Sequence, residues 1–229
     1  MLGIIGAMEM EVEGIRQKIE DCTGKNISGT TFYSGTIGGT PVCLAKCGEG
    51  KVNAALCAQT MVLTYMPDYI INTGVAGGLL PAMRVCDCAV ASHVCQHDFD
   101  LRPLGTPLGM LPVVNEIYIK CNEELASALA SAANKLCGGS VFEGIIATGD
   151  QFISEDEKAR FLAEEFGAIA CEMEGGAIGH VCSINNIPFA VLRTISDGGN
   201  DEASLSFEEF AALAADKSVN IILQFIQTI

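Results

Sequence analysis

The apolar run Ala168-Ile169-Ala170-Cys171 stops at Glu172-Met173-Glu174 and is followed by Gly175, Gly176 and Ala177. Such a run, bounded by charge and then glycines, reads as a buried strand of a parallel sheet that leads into a helix. Its two carboxylates then stand at the strand's carboxyl end, where open α/β sheets bind ligands. The alternative is a solvated acidic turn, since a helix N-terminus favours negative charge. The run Phe189-Ala190-Val191-Leu192-Arg193-Thr194-Ile195-Ser196-Asp197-Gly198 repeats the pattern of apolar strand, polar side chains and glycine. A charge inside an apolar strand is costly unless paired, so Arg193 requires a carboxylate partner.

Two further positions could do chemistry. Met8, Val12, Ile15 and Ile19 form the apolar stripe of a helix spanning Met8 to Asp21. At 100° per residue Glu9, Glu13 and Glu20 fall on the far side, whereas Glu11 falls at the stripe's edge and points into a partly buried space, unless its carboxylate snorkels to the surface. Phe152 follows Thr148-Gly149-Asp150-Gln151 just beyond another strand end. It reads either as ordinary core or as an aromatic face on which a planar base can stack.

The elements that must position these residues alternate along the chain. Strands are expected at 2–7, 31–37, 42–47, 67–79, 85–94, 141–147, 168–171 and 189–195, with 31–47 forming a hairpin. Helices are expected at 8–21, about 51–66, 122–137, 155–165, from 177, and at 207–226. Residues 96–115, with three prolines and no periodicity, read as a long loop. The glycines of Asn72-Thr73-Gly74-Val75-Ala76-Gly77-Gly78 end the second apolar strand and let backbone approach a ligand. Gly48-Glu49-Gly50-Lys51 lacks the third glycine of a dinucleotide loop and the first glycine and hydroxyl of a phosphate loop, so a turn permitting close packing is the better reading. The fold class is α/β, one domain over residues 1–229, with a mixed twisted sheet flanked by helices.

The totals narrow the function. In 229 residues, 49% are hydrophobic and 18% charged, enough for one sizeable core. A net charge of −15 without any Lys/Arg cluster argues against nucleic acid and against an anionic membrane surface. No apolar run approaches the length of a membrane span and the N-terminus lacks a basic signal region, so a cytoplasmic protein is expected. The eleven cysteines include no C-x-x-C pair and read as small hydrophobes. His93, Cys95 and His97 would share a strand face, but no further ligands accompany them, and no metal or cofactor is expected.

Four polar clusters therefore stand at strand ends: Met8 with Glu11, the Gly74 to Gly78 cluster, Met173 with Glu174, and Arg193 with Ser196 and Asp197. Together with Gly3-Ile4-Ile5-Gly6-Ala7-Met8-Glu9, Ile70-Ile71-Asn72-Thr73-Gly74, Gly149-Asp150, Phe152-Ile153, Glu172-Met173-Glu174, Ile195-Ser196-Asp197 and Leu205-Ser206-Phe207, they make the chain resemble the 5′-methylthioadenosine/S-adenosylhomocysteine nucleosidases of the nucleoside phosphorylase superfamily. The motifs span nearly the whole chain in order. The resemblance implies hydrolysis of the bond between adenine and an alkylthio-ribose through an oxocarbenium-like transition state. It implies Asp197 as general acid toward adenine N7 with Ser196 holding its region, and Glu11 as base for the attacking water with Arg193 helping to position it. It also implies Phe152 and Ile153 on adenine, Met173 and Glu174 on ribose with Glu172 in support, Met8 and Phe207 on the sugar and thioalkyl side, and Ala76 and Gly77 among the substrate-binding residues. A homodimer is implied too, in which the positions of Glu49, Leu104 and Pro112 belong to the part lent to the neighbour's thioalkyl pocket.

The chemistry suits these residues. An N-glycosidic bond breaks when the base is protonated and the cationic sugar is stabilised by negative charge, which asks for acids in different protonation states. A phosphorylase would need cations or amides for a phosphate dianion, whereas the first turn here reads Met8-Glu9-Met10-Glu11-Val12-Glu13. An inactive nucleoside binder would have no need of an acid placed for water. Three positions depart from the family pattern: Val75 where serine is common, Glu49 where an apolar residue is, and Leu104 where an aromatic is.

Overall fold

The computed structural model describes residues 1–136, 140–198 and 207–229. In order, the elements are β1 (Leu2–Gly6), α1 (Glu9–Arg16), β2 (Glu20–Ile27), β3 (Thr30–Ile37), β4 (Thr40–Lys46), α2 (Lys51–Tyr65), β5 (Tyr69–Gly78), β6 (Cys88–Gln96), β7 (Ile119–Lys120), α3 (Glu123–Leu136), β8 (Val141–Thr148), α4 (Asp156–Phe166), β9 (Ala168–Glu172), α5 (Gly175–Asn185), β10 (Phe189–Gly198) and α6 (Phe207–Ile226). It is an α/β architecture with a mixed sheet, as the alternation of periodicities requires.

The sheet closes on itself. β5 pairs in parallel with β1 and with β10. β10 pairs antiparallel with β6, β6 in parallel with β8, and β8 in parallel with β9. β9 returns to β5 through Gly77↔Cys171 and Gly78↔Ala170. The strands β5, β10, β6, β8 and β9 thus form a ring, from which β1, β4, β3 and β2 extend as an open wing. Apolar strand residues such as Ile70, Val94, Ile146 and Val191 pack on one side with α2 and α5, while Leu2, Ile4, Ile71 and Leu192 pack against Leu129, Ile222 and Phe225 of α3 and α6. Among the described residues no helix is long and apolar enough to cross a membrane.

The first helix is shorter than its apolar stripe predicts. It stops at Arg16, and residues 20–27 form an edge strand instead. Ile19 still reaches the core, but through a turn. This strand, Glu-Asp-Cys-Thr-Gly-Lys-Asn-Ile, is exposed along nearly its whole length and pairs with β3 alone. It therefore carries no alternation of apolar and polar residues, and the expected two-stranded hairpin is a three-stranded meander. The strand expected at 85–94 runs instead from Cys88 to Gln96 and bulges between Ala91 and His93. Cys95 and His97 are buried, and His93 contacts the Ser92 hydroxyl at 3.2 Å. Among the described residues no three His, Cys, Asp or Glu side chains are grouped to hold a metal.

Candidate active site

Glu11 is the third residue of α1, and its carboxylate folds back over the helix start. Its Oε2 accepts from the amides of Ala7 at 2.7 Å and Met8 at 2.9 Å, which satisfies donors every helix N-terminus leaves open. Its Oε1 accepts from the amide of Val75 at 3.0 Å, so α1 and β5 grip one acid between them. At 1% exposure it is a core residue. Burial pushes its carboxyl up from the ordinary range, against the pull of Arg193 and the three amides. Gly74 makes this possible: a Cβ there would collide with Glu11 Oε1 and with Arg193 Nη1.

Arg193, in the middle of β10, is fully buried. Its Nη2 donates to Glu172 and, at 2.6 Å, to Asn72 Oδ1, and lies 3.5 Å from Glu174 Oε2. The carboxylate partner that its burial demands is therefore Glu172, with Glu174 second. Nη1 makes no hydrogen bond to any described residue and lies against Gly74 beside Glu11.

The acids that open α5 have different surroundings. Glu172 accepts from the Thr148 hydroxyl and from the amides of Glu174 and Gly175. Glu174 accepts from the Gly50 amide at 2.8 Å, across 124 residues of chain. Burial, with the charge of Glu172 next in weight, raises the Glu174 carboxyl. Gly50 has φ +93°, a conformation few residues adopt, and a Cβ on it would stand 2.9 Å from Asp150 Oδ1. The Gly48-to-Lys51 segment is thus a turn permitting close packing, and its amide holds an acid of the site.

At the seam of the ring, Gly77 pairs with both Asp197 and Cys171. A Cβ on Gly77 would lie 3.2 Å from Asp197 Oδ2 and 3.3 Å from Cys171 Sγ. The Ser196 hydroxyl donates to Asp197 Oδ1 at 2.6 Å. Burial raises the Asp197 carboxyl, and the Ser196 hydroxyl partly offsets this. A carboxyl with such a shift can hold a proton and give it up at the right moment.

These groups surround one cavity of about 280 Å³. Met8, Glu11, Ala76, Gly77, Phe152, Ile153, Glu172, Met173, Glu174, Ser196 and Asp197 all line it, and so does Glu49. Phe152 is 59% exposed and so is not a core residue. Arg193 stands behind the wall. Leu104, 79% exposed, and Pro112, also exposed, do not reach it within this chain. The side chain of Phe207 and residues Leu205 and Ser206 lie outside the described residues. Among the described lining residues five are carboxylates and none is a lysine or arginine. That composition suits a developing cation and is hostile to a phosphate dianion.

Sequence reasoning missed the groups that hold the walls in place. Lys51 Nζ donates to Asp98 Oδ1 at 2.6 Å, Asp98 Oδ2 accepts from the Asp150 amide at 2.9 Å, and Asp150 Oδ1 accepts from the Lys51 amide at 2.7 Å. This ring of hydrogen bonds ties the turn carrying Glu49 and Gly50 to the loop carrying Phe152 and Ile153. Asn72 and Thr148 are the other two. A polar residue within or ending an otherwise apolar strand was their only signal.

Residues 1–227 match the phosphorylase superfamily. The 5′-methylthioadenosine/S-adenosylhomocysteine nucleosidase of Geobacillus kaustophilus is 38% identical, over 97% of this chain and 95% of its own length. The crystal structure of the Neisseria meningitidis nucleosidase of the same name, in complex with methylthio-immucillin-A, superposes with a TM-score of 0.93 at 31% identity, covering 100% of this chain and 99% of that one. A futalosine hydrolase of Helicobacter pylori superposes with a TM-score of 0.92 at 33% identity, covering 100% and 97%. Matched along nearly its whole length in sequence and in fold, the chain belongs to the 5′-methylthioadenosine/S-adenosylhomocysteine nucleosidase family of the phosphorylase superfamily.

Proposed function

We propose that the chain, acting as one domain over residues 1–229, hydrolyses the N-glycosidic bond of 5′-methylthioadenosine and S-adenosylhomocysteine, releasing adenine and the 5′-thioribose in methionine salvage. One observation carries the reading: a buried Glu11 and a half-buried Asp197, both with raised proton affinity, stand on different walls of a cavity whose described lining holds no lysine or arginine. Adenine stacks on Phe152 and meets the Ile153 backbone, and Asp197 protonates it as it departs. The ribose lies on Met173 with its hydroxyls on Glu174, and water activated by Glu11 attacks the anomeric carbon. Arg193 supports Glu11 from behind, and Met8 faces the sugar and its 5′ group.

The names of its relatives support the substrate class. Incubation with methylthioadenosine in phosphate-free buffer releases adenine on this reading. Release that requires added phosphate indicates a phosphorylase, and no release under either condition indicates a binding protein.

The working unit is a cytoplasmic homodimer. Val52, Leu56 and Leu63 lie 58–72% exposed on α2, and Leu104 and Val113 are 77–79% exposed on the long loop. Apolar side chains that stand out in such numbers on two nearby elements favour a protein partner. Sedimentation velocity should give a dimer at micromolar concentration, and a monomer there would overturn this part.

A further inference from the structure

Glu172 lines the cavity, yet its oxygens are already engaged by the protein. Oε1 accepts from the Thr148 hydroxyl. Oε2 accepts from the amides of Glu174 at 3.0 Å and Gly175 at 2.7 Å, and from Arg193 Nη2. Thr148 is itself anchored, because its Oγ1 accepts from the Gly176 amide at 2.6 Å. The packing leaves little slack: a Cβ on Gly175 would press on Glu172 Oε1 at 3.2 Å and Asn72 Oδ1 at 3.3 Å.

Arg193 Nη2 sits between two acids. It bonds directly to Glu172 and Asn72, whereas Glu174 Oε2 is 3.5 Å away, beyond a good hydrogen bond. A carboxylate drawn into a close ion pair turns an oxygen toward the guanidinium and has fewer lone pairs left to offer sugar hydroxyls. A guanidinium that loses its carboxylate in a dry interior takes the next one within reach. Here the next one is Glu174.

We propose that Glu172 is a positioning residue: by holding Arg193 and the first amides of α5, it keeps Glu174 out of a close ion pair and open to the ribose hydroxyls. The inference rests on the nucleosidase reading of the site. The charged groups that face Glu174 fit it. Glu172 on β9 and Glu11 on α1 raise its proton affinity, while Arg193 on β10 and the Gly50 amide lower it. Removing the charge at 172 and bringing Arg193 closer act in the same direction, toward a more acidic Glu174.

Glu172→Gln keeps the side chain's size and removes its charge. The expected result is a rise in KM for methylthioadenosine of about 10–100-fold, the scale of one charged hydrogen bond, with a smaller fall in kcat. Inhibition by free adenine, which has no ribose, should stay within about two-fold, and the acid limb of kcat/KM should move to lower pH. Thr148→Val, which removes one donor and keeps the charge, should raise KM in the same direction by less, and it carries the test if the glutamine variant does not fold. An unchanged KM in these variants overturns the proposal, as does adenine inhibition weakening in step with KM. Wild-type protein that releases no adenine from methylthioadenosine would instead overturn the nucleosidase reading.

Discussion

Lys51 and Asp98, 47 residues apart, form a partly buried ion pair of 2.6 Å, their side chains 17% and 16% exposed. The pair closes a ring through Asp150 that joins two walls of the cavity. Lys51→Met leaves Asp98 without its cation. Stability should fall by about 1–3 kcal/mol in denaturant unfolding, and KM should rise because the Phe152 loop and the Gly50 turn are no longer tied. A variant with wild-type stability and KM would show that the ring is incidental.

Asp197→Asn should retain substrate binding and lose about 10²–10⁴-fold in rate, because an amide cannot give up a proton as a carboxylic acid does. Single-turnover adenine release together with calorimetric binding separates the two effects. Near-normal turnover would remove Asp197 from the acid role.

Glu174 gives the protein a pH signature. Burial and the neighbouring charge of Glu172 raise its carboxyl from the ordinary value of 4.5 to about 7. Between those values the folded state holds a proton that the unfolded chain releases, so this group's contribution to stability is present below pH 4.5 and is lost as pH rises through about 7. Glu174→Gln should flatten that part of the stability profile, measured by chemical denaturation from pH 4.5 to 8. A variant profile parallel to the wild type would contradict the assignment.

Glu49 places a carboxylate at the mouth of the cavity. It should favour a 5′ tail that carries an amine over a bare methylthio group. Glu49→Ile is expected to shift the ratio of kcat/KM toward methylthioadenosine and away from S-adenosylhomocysteine. An unchanged ratio leaves the 5′ preference to other residues.

How far the chain could be read from its residue types follows from the physics of each position. Glu11 was legible because helical geometry puts it at the edge of an apolar stripe, and Arg193 because a buried guanidinium needs an acid. Which acid it takes was not legible, since Glu172 and Glu174 differ by two positions in sequence and in character only through what three distant elements bring to them. β2 was hidden for the opposite reason: an exposed edge strand buries too little to impose a period of two. The pairing of Asp98 with Lys51 was not legible, because an ion pair closed by loop geometry leaves no trace in local spacing.

The closure of the strand ring through two residue pairs, Gly77↔Cys171 and Gly78↔Ala170, has a mechanical consequence. The β10–β5 and β6–β8 ladders share any strain over many bonds, whereas this seam, shorter than the three pairs of β10 on β6, carries it on two, reinforced by the Leu79 amide on the Ile169 carbonyl at 2.9 Å. The seam should be the ring's first joint to breathe, with the amides near residues 77–79 exchanging hydrogen faster than those of mid-β5. Asp197 is seated opposite that joint, so the compliance of the scaffold is greatest where adenine must arrive and leave.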